Sequence, residues 1–204
     1  MALASSGGQV IALDTSAAML QALDEIAAQH GIDNVRAIQG RWPPTGSDPA
    51  PFQADVALLA HVSYDIADIG PFLRAMESSA RRLGVAVLME RQPSSIADVC
   101  WPTVWGEERV PLPALPEFVE LLRAMGRDPH VVRLEREPRR FASRDELIGF
   151  LRRQLWVERG SPADIRFLEA LEPLLDIDAD GRAGLIGQRP LPIGIVTWSP
   201  EANA

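Results

Sequence analysis

Continuous apolar runs alternate along this chain with stretches of helical spacing. QVIALD, residues 9–14, is an apolar run that stops on an acid, and it predicts a buried strand closing at Asp14. Thr15 or Ser16 can then cap a helix whose apolar positions Met19, Leu20, Leu23, Ile26 and Ala27 follow helical spacing, with Gly31 as its stop. NVRAIQG predicts a short second strand. From Trp42 to Phe52, Pro43, Pro44, Gly46, Pro49 and Pro51 break regular structure, and ADVALLAHV follows as a third, continuously apolar strand.

The same alternation continues. Ile66, Ile69, Phe72, Leu73, Met76 and Leu83 predict a helix ended by Gly84, and VAVLME predicts a fourth strand. Arg91 to Leu115 reads as irregular, with Trp101 and Trp105 among prolines. Phe118, Leu121, Leu122 and Met125 define a helix closed by Gly126, and HVVRLERE is a further strand. Ser143 and Glu146 form a capping box ahead of Leu147, Phe150, Leu151 and Leu155; Ser161 and Pro162 start another helix through Ile165, Leu168, Leu171 and Leu175. These two helices predict an insertion over about residues 143–176, before the last strand, LPIGIVTW. Strands alternating with helices predict an α/β fold with a parallel sheet covered on both faces, over residues 1–204 as one domain without internal repeats.

Composition narrows the chemistry. With 47% hydrophobic and 24% charged residues in 204, the chain has the material of an ordinary globular core. A formal charge of −8 argues against nucleic acid as a partner. Every one of the 20 basic residues is Arg, which removes Walker lysines, Schiff-base lysines and Tyr/Lys hydride-transfer pairs. The single Cys100 and the scattered His30, His61 and His130 offer neither a disulfide nor a zinc site. No apolar run reaches the roughly 18–20 residues of a membrane span, so no membrane partner and a cytoplasmic location are expected.

Asp14 is the most informative single residue. At the carboxyl end of a strand its carboxylate could accept both hydroxyls of a nucleotide ribose, or it could stabilise a helix N-terminus. His61, in AHVSYDI just after the third strand, could act as a general base or bond to backbone, and Tyr64 could serve beside it or pack as a ring. Trp42, Trp101 and Trp105 could line an apolar pocket or seal a long loop onto the core. Cys100 reads as a small buried hydrophobe. DIDADG, residues 176–181, lacks the later acid of a calcium loop and reads as a solvated turn; the pairs Arg81/Arg82, Arg139/Arg140 and Arg152/Arg153 read as solvated faces.

The succession QVIALDTSAAML, NVRAIQGRWPP, FQADVALLAHVSYDI, a helix, GVAVLMERQ and a late LPIGIVTW resembles the class I S-adenosylmethionine-dependent methyltransferases. The resemblance implies a Rossmann-like, mostly parallel sheet with a reversed last strand, and methyl transfer from S-adenosylmethionine to a small-molecule acceptor. By position, Asp14 would hold the ribose, while Thr15 and Met19 would border the adenine. Gly40, Arg41 and Trp42 occupy the turn near the adenine amino group, with Arg41 where the family commonly has an acid. His61 and Tyr64 fall where the family flanks the transferable methyl. The glycine-rich turn that precedes such an acid by about 20 residues would lie before residue 1, so the family's first strand and glycine loop are expected to be missing. Without that strand the QVIALD and ADVALLAHV strands are expected either to pair directly or to drive self-association into a homo-oligomer, with S-adenosylmethionine bound weakly if at all. Two other readings remain open: a non-catalytic methyltransferase-like module for binding or self-association, and an NAD-binding oxidoreductase fragment.

Overall fold

The computed structural model describes residues 2–5, 8–44 and 52–200. Among them the elements run α1 (Ala2–Ser5), β1 (Val10–Asp14), α2 (Ala17–Gln29), β2 (Val35–Gln39), β3 (Ala54–Ala60), α3 (Ile69–Ser79) and β4 (Ala80–Met89). A 3-10 helix (Pro93–Cys100) leads into α4 (Trp101–Trp105), α5 (Leu115–Ala124), β5 (His130–Leu134), α6 (Arg144–Leu155), α7 (Pro162–Leu171), β6 (Leu175–Ile177), β7 (Ala183–Leu185) and β8 (Ile193–Trp198). The chain divides into two compact units: Met1–Ala57 with Asp68–Gly84 and Pro200–Ala204, and Leu58–Ala67 with Val85–Ser199.

In the first unit β1 and β2 lie parallel, in register from Val10 against Val35 to Asp14 against Gln39. Ser16 caps α2 by accepting from the Met19 N–H at 3.3 Å, and α2 packs on both strands. Leu20 and Ala27 are its buried residues, whereas Met19 and Ile26, expected on the apolar face, are exposed. The expected helix from Ile66 to Leu83 is shorter at both ends. The hydroxyls of Ser78 and Ser79 donate to the carbonyls of Ala75 and Met76, competing with helix continuation, and the chain turns extended at Ala80. Leu83 and Gly84 therefore belong to β4, where Arg81 pairs with Asp55 of β3 at 3.0 Å. The prolines Pro49 and Pro51, with Gly46, lie outside the described residues.

The strand order is β3-β4-β8-β5, with β5 antiparallel to β8. In the second unit α5 lies against β8: Phe118 meets Trp198 edge-on at 6.0 Å, and a Cβ on Gly194 would stand 2.6 Å from Leu115 Cδ1. A further core joins the 3-10 helix, α4, α6, α7 and the β6–β7 hairpin through Ile96, Cys100, Val104, Leu147, Leu151 and Phe167. The stretch expected to be irregular after Arg91 is thus largely helical. Pro93 and Pro102 sit in first turns, and Gly106 closes α4 at a φ of 78°. The hairpin was not expected from sequence; Asp178 builds its turn by accepting from the N–H groups of Asp180 and Arg182 at 3.0 and 2.9 Å.

Among the described residues the expected direct pairing of β1 with β3 is not found. β1 pairs with β2 alone and β3 with β4 alone, so each strand keeps one edge without a described partner. All five residues of β1 are only half-buried, and in β3 Val56 and Leu58, two positions on one face, are 48% and 45% exposed.

Candidate functional site

The carboxyl ends of β1 and β2 bring together most of the residues that the sequence marks for a nucleotide. Asp14 closes β1, half-buried, and its Oδ1 accepts from the Ser16 N–H at 2.7 Å. That bond ties the strand end to the cap of α2. The Gly40 N–H donates to the Asp14 carbonyl at 3.0 Å, and the Gln39 side-chain amide donates to the Thr15 carbonyl at 3.2 Å. Asp14, Thr15 and Gly40 are therefore one hydrogen-bonded cluster, with Met19 three residues into the helix start. Arg41 is exposed beside it. Trp42 is committed to packing: its indole N–H donates to the Phe72 carbonyl at 3.2 Å, and its ring meets Phe52 edge-on at 5.7 Å.

A second cluster lies in the other unit, in the turn after β3. The His61 N–H donates to the Val87 carbonyl at 2.9 Å, and His61 Nδ1 is 3.4 Å from the Tyr64 hydroxyl. That hydroxyl also accepts from the Met89 N–H at 2.8 Å. Tyr64 is buried, and burial pushes its pKa above the usual phenol range against the lowering pull of the Met89 bond, so it stays protonated at neutral pH. The turn is strained: His61 sits at a φ of 55° and Ser63 at 109°, the latter a conformation that L-residues rarely adopt. Ser63 carried no sequence signal, because nothing in a serine announces a positive φ.

Of the tryptophans of the irregular stretch, Trp101 is packed and Trp105 is 42% exposed. Trp101 is buried against α6 and α7, and the Trp105 indole donates to the Leu155 carbonyl at 3.1 Å. Cys100 is fully buried, which pushes its thiol up to about 11. Among the described residues no group of three or more His, Cys, Asp or Glu could hold a metal, and no helix is long and apolar enough to cross a membrane.

No protein-family model matches the chain, and no curated protein sequence matches it. Solved structures do. The chain is similar to the YcgJ protein of Bacillus subtilis at 14% identity, over 98% of this chain and 86% of that one, with a TM-score of 0.59. It is also similar to a protein of Bacillus halodurans C-125 assigned as a methyltransferase, at 10% identity, over 94% and 83% of the two chains, with a TM-score of 0.52. A third similar structure is the (4+2) cyclase SpnF, at 14% identity over 98% and 70%, with a TM-score of 0.50. The chain has a Rossmann-like methyltransferase fold, with the last strand, β8, antiparallel to β5 as the resemblance implied. Identities this low establish the fold alone, and the cyclase among the three shows that one fold carries more than one chemistry.

Proposed function

We propose that the chain binds S-adenosylmethionine at the carboxyl ends of β1 and β2 and serves methyl transfer to a small molecule. The observation that carries this reading is the Asp14 carboxylate, which spends Oδ1 on the Ser16 N–H and leaves Oδ2 to accept a ribose hydroxyl. The surroundings fit the group. Gly40 adds no side chain at the end of β2, where a Cβ would already stand 3.2 Å from Leu13 Cδ1, and the exposed Met19 offers apolar surface for a base. Thr15 borders the same base, and Arg41 is a donor where an acid would accept, so its contact would be with a ring nitrogen rather than the amino group. Trp42 supports the turn from behind through Phe72.

When bound, the cofactor supplies a methyl group made electrophilic by the neighbouring sulfonium. The chain's part is positioning and proton management. Within the second unit Tyr64, held by the Met89 N–H, donates toward His61 Nδ1 and fixes the imidazole, leaving Nε2 open to take a proton. Calorimetric titration with S-adenosylmethionine tests the reading. Asp14→Asn is expected to weaken binding about tenfold, the value of a hydrogen bond to a charged group; no saturable heat from the unmodified chain, or equal affinity in the variant, would refute it.

A second reading rests on a different observation. The unpaired edges of β1 and β3, with Val56 and Leu58 exposed, suit a non-catalytic module that self-associates by strand pairing. Sedimentation velocity over a range of concentrations separates the two: a monomer throughout removes the second reading.

A further inference from the structure

One cavity of the second unit, about 300 Å³, opens where β4 ends, lined by Glu90, Arg91, Gln92, Asp98, Glu108 and Arg109 among others. Two of its walls are locked. The Arg109 guanidinium lies 4.4 Å over the Trp101 ring and donates to the carbonyls of Ser94 and Gln154 at 3.0 and 3.3 Å and to Asp98 Oδ1 at 3.3 Å. Both terminal nitrogens are therefore engaged by the protein, and the guanidinium fixes the Asp98 carboxylate in place.

Gln92 is the informative member. It is 2% exposed, it lines the cavity, and its Nε2 is buried without a hydrogen-bond partner. A buried amide donor left unpaired costs about 1–3 kcal/mol, so such a group marks a place where an acceptor belongs. The charge of the lining points the same way. Four acids, Glu90, Asp98, Glu108 and Glu117, face two guanidiniums, Arg91 and Arg109. Glu90 is paired with Arg133 at 3.3 Å and Asp98 with Arg109, and the Glu117 carboxylate accepts from the Ala114 N–H at 2.9 Å. Arg91 lies near enough to Asp98 to lower its pKa, while burial raises it more strongly. The lining keeps a net negative charge that the protein's own cations do not cancel.

We propose that this cavity binds a small cationic amine bearing a carbonyl or hydroxyl oxygen, the oxygen accepting from Gln92 Nε2 and the ammonium facing the acids of the rim. Arg109 acts as a positioning residue, through Asp98. The site stands on the second unit alone and does not depend on methyl transfer.

The test uses the full chain and three probes without cofactor: N-acetylethylenediamine, with an ammonium and a carbonyl; propylamine, with the ammonium only; and N-methylacetamide, with the carbonyl only. Calorimetry or ligand-observed NMR should show saturable binding, tightest for N-acetylethylenediamine. Gln92→Met, which keeps the length and removes the donor, is expected to weaken that probe about fivefold, the value of one hydrogen bond, and to leave propylamine unchanged. It should also melt no lower than the parent chain, because it deletes an unpaired polar group. Glu108→Gln, at an exposed position, is expected to weaken both amines about twofold and spare N-methylacetamide. Absence of saturation, N-methylacetamide binding as tightly as N-acetylethylenediamine, or unchanged constants in Gln92→Met would overturn the proposal. Should Gln92→Met fail to fold, unchanged binding of both amines in Glu108→Gln overturns it instead.

Discussion

Ser63 stands at a φ of 109° in the turn after β3, and replacing it with glycine should make the protein more stable. The backbone there costs a non-glycine residue about 1–3 kcal/mol. Its side chain returns little, since it is half-buried and its hydroxyl makes no hydrogen bond among the described residues. Glycine relieves the strain but loses about 0.5–1 kcal/mol through the greater freedom of the unfolded chain. The expected net gain for Ser63→Gly is about 0.5–2 kcal/mol, which for a chain of this size raises the melting temperature by about 2–6 °C. Ser63→Ala is the control. It keeps the Cβ that makes this φ costly, so its stability should stay within about 0.5 kcal/mol of the parent. Urea and thermal unfolding measure both. A destabilised Ser63→Gly, or an alanine variant that gains as much as glycine, would show that the turn stores no strain.

Three further outcomes are expected. Asp164 accepts from Arg152 at 2.7 and 3.1 Å and from the Gly160 N–H at 2.8 Å, and these bonds, the Arg152 one foremost, hold its carboxyl below the usual range. Asp164→Ala should cost about 3–5 kcal/mol by stranding a largely buried guanidinium, with the deficit full above the unfolded-state pKa near ~3.9 and closing as pH falls through the lower folded value; a gap that did not narrow as pH fell below the unfolded-state value would contradict the assignment. Gly194→Ala should cost about 1–3 kcal/mol by overpacking, since the new Cβ would stand 2.6 Å from Leu115 Cδ1, and Leu115→Ala in the same chain should reduce the increment seen in denaturant melts. Leu58→Lys should shift any concentration-dependent association toward the monomer in sedimentation and leave the melting temperature nearly unchanged, because the side chain already faces water; association equal to the parent's would place the contact elsewhere.

Most strands were legible because an apolar run matched the element: QVIALD became β1, and LPIGIVTW contains β8, whereas VAVLME covers only the second half of β4. So was the placement of Asp14, since the end of an apolar run beside a capping Ser16 has few other interpretations. Helix spacing told less. It located α2 but did not foretell that Met19 and Ile26 would remain exposed, because periodicity records which residues share a face and not what covers it. The end of α3 was missed for a local reason: Ser78 and Ser79 look neutral in a helical pattern, yet their hydroxyls bond backward and release the chain at Ala80. Ser63, Gln92 and Arg109 were invisible for another reason. Their significance lies in a dihedral angle, an unpaired amide and a stack on Trp101, and all three are set by tertiary contacts.

The split of the sheet explains an exposure pattern that composition alone would not allow. Strands as apolar as VIALD and ADVALLA are ordinarily the buried interior of a doubly wound sheet, flanked on both edges. Among the described residues β1 has β2 beside it and β3 has β4, and both strands lose cover: every position of β1 is half-buried, and Val56 and Leu58 face water. Within the sheet that holds β3, β8, flanked by β4 and β5, keeps its burial, with Val196 and Trp198 almost fully enclosed, whereas the edge strand β5 leaves Val132 and Leu134 exposed. The deficit is therefore local to the open edges. Hydrogen bonding aggravates it, because an edge strand presents a row of unpaired N–H and C=O groups next to apolar side chains, a combination that favours pairing with another strand. Asp55 and Arg81 place charge on β3 and β4 and moderate that tendency at one point only. The Asp14 cluster sits at the end of one of these edges. A strand seated along β1 would raise the burial of Asp14 and with it the strength of any bond its carboxylate makes to a ribose, so association and cofactor affinity should rise together if β1 is the edge that pairs.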